Sequence, residues 1–160
     1  FWDHGKADKD GIWTTNRDLA PSLVKYVEEI GANYGRVRVI KLNPSDDATA
    51  RRQLHLDDNN RLNPEGTGWV VRSWLELDDT AGKSAFILRE DKDDPATETR
   101  IKLHPGMQLL IDTQRLYHVV SHPGPSPRYA LITSWETSDA LERWVTRELA
   151  ADQQFASMPS

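Results

Sequence analysis

Hydrophobic and polar positions along the chain change period twice. Leu23, Val24, Val27 and Ile30 recur at helical spacing, so residues 20–30 are predicted as a helix. Pro21 suits its first turn and Gly31 its C-terminal cap. From residue 35 the period shortens to two. Gly35 to Leu42 alternates charged and apolar side chains, as a strand with one buried face does. Further strands are predicted at 69–77, 83–90, 100–104, 107–112, 117–120 and 128–136. Helical spacing returns at 139–150 through Leu141, Trp144, Val145 and Leu149. Asp139, with Glu142 three residues on, is the expected cap.

The connections follow from turn chemistry. Asn43 to Asp47 is predicted as a turn, Asp58 to Gly68 as a long polar loop, and Asp78 to Gly82 as a turn. A loop of that length beside chemically useful residues is expected to border an entrance. Asp91 to Thr99 is expected to be a mobile charged loop, and His122 to Pro127 an irregular connection. Residues 1–17, with Trp2, His4 and Trp13, are read as irregular, and the tail from Gln153 as frayed. Short strands separated by turns and flanked by two helices predict a mainly β fold, a sandwich or jelly-roll barrel.

In the 69–77 strand, one face carries Trp69, Val71, Ser73, Leu75 and Leu77 and is expected to be core. The other carries Val70, Arg72, Trp74 and Glu76, and either meets solvent or lines a polar cavity. Six tryptophans are many for 160 residues, and each is first a packing residue.

Composition narrows the function classes. One domain spanning 1–160 can bury a real core at this length. A net charge of −5 without a basic block argues against nucleic-acid binding. No run reaches membrane-spanning length, so no membrane partner is expected. With no cysteine there is no disulfide, thiolate-zinc site or thiol nucleophile. Phe1 in place of an initiating Met is compatible with a trimmed or partly ordered version of a longer protein and does not decide whether the native chain extends before it. The lack of a targeting signal then carries little weight, and a cytoplasmic setting is the default expectation.

The chemistry concentrates in four residues. His55 and Asp57 lie two apart, so on an extended backbone they share a face and can converge on a metal. Among the five histidines, His118 in Tyr117-His118-Val119-Val120 is the best third ligand. His104 reads as a turn residue and His122 as excluded by the proline-rich loop. Asp58 is off the shared face and is expected to be solvated. Two histidines and one carboxylate on one side of a metal leave positions open for substrate and O₂. Arg128, ten residues after His118, offers a planar fork for a carboxylate.

Taken together, His55-Leu56-Asp57, the Pro105-Gly106 turn with its strand to Asp112, His118-Val119-Val120 and Arg128-Tyr129-Ala130-Leu131 resemble the 2-oxoglutarate- and Fe(II)-dependent dioxygenases, especially the prolyl-4-hydroxylase-like group. Gly82 to Phe86 also resembles that family's turn between the two ligand segments. The resemblance covers about residues 36–136. It implies a double-stranded β-helix, Fe(II) held by His55, Asp57 and His118, and 2-oxoglutarate held at its C5 carboxylate by Arg128. O₂ would be consumed, with ascorbate as a further cofactor of the type, and succinate and CO₂ would accompany hydroxylation of an unactivated C–H bond.

Departures refine this. Ala130 stands where some branches have a serine. The strand after Arg128 lacks the arginine and asparagine residues of the nucleic-acid demethylases, and the presence of Asp57 disfavours the halogenases. The short chain favours a small-molecule substrate such as an amino acid or natural-product intermediate, with a peptidyl side chain second. Arg72 and Trp74 are the candidate substrate-binding residues. A cupin-like metal-binding module without oxygenase activity and a metal-free β-sandwich are the other readings.

Overall fold

The computed structural model describes residues 7–78 and 83–156. Trp2, His4, residues 79–82 of the expected turn, and 157–160 of the expected tail lie outside the described residues. The described residues are mainly β, with two antiparallel sheets and three α-helices.

Helix α1 (Pro21–Ile30) begins at its proline and ends at Gly31, whose φ of 75° is the left-handed conformation that glycine adopts without a Cβ penalty. Strand β1 (Tyr34–Leu42) follows. A second helix, α2 (Asp47–Arg51), then starts on the last residue of the expected turn and runs through residues for which no element was predicted. Asp46 caps it, its carboxylate accepting from the Thr49 amide at 2.7 Å. Six strands come next: β2 (Val70–Glu76), β3 (Ala85–Arg89), β4 (Thr99–Lys102), β5 (Gln108–Ile111), β6 (Tyr117–Ser121) and β7 (Arg128–Glu136). Helix α3 runs from Asp139 to Ala156, longer than its apolar repeat predicts. Its cap is Ser138, whose hydroxyl accepts from the Leu141 amide, and not Asp139.

One sheet has the order β1-β7-β2-β5 and the other β4-β3-β6. The free side of β6 is met by a single-residue bridge of His55 with His118, and Ser45 bridges His122 just past the strand. The four-stranded sheet has an apolar cluster packed on each face. Outward, Leu131 and Trp135 pack with Val27, Ile30, Leu141 and Trp144 of the helices, with Val37, Val71 and Leu75 at the margin. Inward, Trp74, Phe86, Leu103, Ile111, Ala130 and Ile132 form the core between the sheets. Apolar burial at both faces supplies the driving force for this layering. The 91–99 segment, expected to be mobile, carries a short 3₁₀ turn (Pro95–Thr97), and Glu98 holds it. That carboxylate takes hydrogen bonds from Arg51 and Arg89, which push its pKa down to about 2 despite partial burial.

Candidate metal centre

Three pieces of backbone converge to build the site. Ala50 of α2 and Leu54 pack against Ile87 and Val119, anchoring the segment that follows the helix. Alternation puts His55 and Asp57 together on the side opposite Leu54, whose burial fixes which way that segment faces. The main chain fixes the register. His55 and His118 exchange backbone hydrogen bonds at 3.3 and 3.0 Å, and the Asp57 amide donates to the Thr113 carbonyl at 2.8 Å. Asp112 holds the turn before β6, accepting from the Gln114 and Arg115 amides and from the Trp69 indole. Trp69 is therefore half-buried, clamping this turn with Arg115 over its ring, and does not sit in the core as its strand face predicts.

His55, Asp57 and His118 offer ligand atoms that all lie within 4.8 Å of one another. Nε2 of His55 is 3.9 Å from one Asp57 oxygen, and Nε2 of His118 is 3.7 Å from the other. Each imidazole has its Nδ1 against the carbonyl two residues before it: Gln53 at 3.0 Å for His55 and Leu116 at 3.3 Å for His118. A proton on Nδ1 satisfies both bonds and leaves each Nε2 lone pair facing the carboxylate. That is the tautomer a metal-ligating histidine needs. Burial lowers the His118 pKa to about 4, against the opposing pull of Asp57, so its ring is neutral at pH 7. His118 is buried beneath Phe86, whose ring stacks on it, whereas the His55 side chain is 56% exposed. The cluster thus has a closed floor and an open side. These groups can hold a divalent ion.

Arg72 stands behind the carboxylate. Its Nε is 3.2 Å from Asp57 Oδ2, and its Nη2 reaches Asp8 and donates to Asn59 Oδ1. The Arg72–Asp57 contact lacks hydrogen-bond alignment, so buried Asp57 Oδ2 keeps no hydrogen-bond partner among the described residues. Asp8 arrives through a close backbone approach. A Cβ on Gly35 would sit 1.7 Å from the Asp8 carbonyl oxygen, so only glycine permits it. Asp8 also accepts from Ser134 at 2.7 Å and lies 3.8 Å from Arg36.

Arg128 opens β7 between the sheets and is 1% exposed. It forms an ion pair with Glu76 and lies over the Trp74 ring at 5.2 Å. Trp74 in turn meets Phe86 edge-on at 5.3 Å. Phe86 therefore touches both the His118 ring and the aromatic floor under Arg128. Nε and Nη2 of Arg128, which together form one edge of the guanidinium, are buried and have no hydrogen-bond partner among the described residues. A vacant edge of that kind suits a planar carboxylate gripped through two parallel bonds.

No family model matches this chain, and no curated protein matches it.

The structure brings His55, Asp57 and His118 together, and places Arg128, Arg72 and Trp74 on the inner side of the same layer. Arg72 is engaged with Asp57, Asp8 and Asn59, and Trp74 is a core residue whose indole donates to Glu76 at 3.1 Å. His122 has both ring nitrogens committed, to Ser84 Oγ at 2.7 Å and the Ser126 carbonyl at 2.6 Å. His104 closes the turn to Met107. Asp58 is exposed beside Arg61. Asp8, Asn59 and Glu76 are the partners that sequence reasoning did not assign. Glu76 alone carried a signal, a carboxylate at the same strand phase as Arg72 and Trp74.

Proposed function

We propose that the protein is an Fe(II)- and 2-oxo-acid-dependent oxygenase whose strands wind as a double-stranded β-helix. The strand order supports that winding. Successive extended segments β1, His55, β2, β3, β4, β5, β6 and β7 fall in the first, second, first, second, second, first, second and first sheet. The observation that carries the activity is the convergence of two Nε2 lone pairs and one carboxylate beside a half-exposed opening, with the vacant edge of Arg128 deeper between the same sheets.

Fe(II), with a 2-oxo acid and O₂, would supply oxidative decarboxylation coupled to hydroxylation of a C–H bond. His55, Asp57 and His118 hold the ion, and three protein ligands leave room for the small reactants. The backbone carbonyls of Gln53 and Leu116 fix the imidazole tautomers. Arg72 restrains the carboxylate of Asp57 and is itself braced by Asp8 and Asn59. Arg128 grips the far carboxylate of 2-oxoglutarate through Nε and Nη2. Phe86 and Trp74 keep the space between these anchors apolar and exclude water from it. A small molecule such as an amino acid enters past His55 as the substrate, with a peptidyl side chain as the other substrate class.

A metal-binding module without oxygenase activity is the second reading, and the Glu76–Arg128 ion pair favours it, because the arginine already has one carboxylate. Anaerobic titration with Fe(II) and 2-oxoglutarate separates the two. The oxygenase reading expects a weak visible charge-transfer band that is lost in Asp57→Ala and weakened in Arg128→Met. Metal uptake without any such band would leave the module.

A further inference from the structure

Among the inner-face charges, Glu76 has no part in holding the ion. It lies on β2 opposite Ala130 of β7, and the small alanine leaves room for Glu76 to reach diagonally to Arg128. Its side chain is fully buried. Oε2 accepts from both the Trp74 indole and Arg128 Nη1, while Oε1 has no hydrogen-bond partner among the described residues. One carboxylate thus offsets the guanidinium charge at a buried position beside the Trp74 ring, where like charges repel far more than in water. A second carboxylate docking on the vacant Nε–Nη2 edge would meet a neutral pair instead of a free cation, with the Glu76 charge close behind it.

We propose that Glu76 is a specificity-determining residue for the 2-oxo acid: by pairing with Arg128 it weakens the pocket's hold on a terminal carboxylate. The site then accepts 2-oxo acids with uncharged tails alongside 2-oxoglutarate. This rests on the oxygenase reading above, and it assigns to Glu76 a role separate from the metal ligands.

The test measures anaerobic binding of 2-oxoglutarate and of 2-oxovalerate, its neutral-tailed analogue, to the Mn(II)-loaded protein. In the natural chain the dicarboxylate is expected to bind no more than about tenfold better, and Glu76→Gln should tighten 2-oxoglutarate by about tenfold or more. The substitution should leave 2-oxovalerate unchanged, which a general disturbance of the pocket would not do. Glu76→Gln should also lower Tm without ligand, since it leaves Arg128 buried beside a neutral amide, and 2-oxoglutarate should restore more of it than in the natural chain. If Glu76→Gln does not fold, the natural chain still decides. A preference for 2-oxoglutarate beyond about tenfold overturns the role of Glu76, because an arginine without a paired carboxylate gives stronger discrimination. Equal tightening or weakening of both acids by Glu76→Gln overturns it as well. If neither acid binds the natural chain, the oxygenase reading itself fails.

Discussion

Strand β2 presents two buried faces that are built in opposite ways. Its outer face sets Val71, Ser73 and Leu75 against the helical layer, where Trp135 is fully buried and donates its indole N–H to Ser73 Oγ at 2.8 Å. Its inner face sets Arg72, Trp74 and Glu76 between the sheets, each tied to a charged partner. The inner face is the more deeply buried, since Val71 and Leu75 are only partly covered, and the consequences of burial differ. Apolar contact on the outer face stabilises the fold directly. Charges on the inner face must be paired merely to offset their desolvation, so they add little stability and instead hold geometry. A central strand can therefore divide stability and chemistry between alternate residues.

The largest expected effect falls on the outer face. Trp135→Ala should cost about 3–5 kcal/mol in denaturant unfolding while the folded fraction still takes up metal. Loss of metal uptake in that folded fraction would break the division between faces. Next is a pH effect from the inner side. The His118 pKa is about 4 when folded, against an ordinary 6.5. Between those values the unfolded chain binds a proton that the folded chain does not. Stability from neutral His118 is thus complete above pH 6.5 and lost as pH falls toward 4, by at most about 3 kcal/mol. Urea titrations of the metal-free protein and of His118→Gln should differ in slope across that window.

A smaller effect is expected one step back from the ligands. Arg72→Gln should weaken divalent-ion affinity by about 10–100-fold, read by competition with a chelating dye. An unchanged affinity would mean that Asp57 is held by the Thr113 carbonyl alone. Smallest is the cap of α2. Asp46→Ala should cost about 1 kcal/mol in thermal unfolding, and leave metal affinity unchanged if the packing of Leu54 suffices to place His55.

Much of this layout is legible in the residues. All seven strands and the two longer helices follow from apolar spacing, because a period of two or 3.6 records which side is buried. The five-residue α2 is too short to show a period, although Asp46 ahead of Ala48 and Ala50 carried a capping signal. Alternation separates the faces of β2 but does not show that the polar one is covered, since that depends on which sheet lies across from it. His55, Asp57 and His118 are legible through residue type and spacing. The support from Asp8 and Asn59 is not, because it reaches Arg72 across 64 and 13 positions of chain through a close backbone approach and a buried amide.

The proposed site requires that His55, Asp57 and His118 bind one ion together. Anaerobic dialysis against Fe(II), followed by metal analysis of the natural chain and of His118→Ala, tests it most directly. One ion per natural chain is expected, with that ion lost in the variant and the fold retained by circular dichroism. Equal Fe(II) content in the two proteins would contradict it.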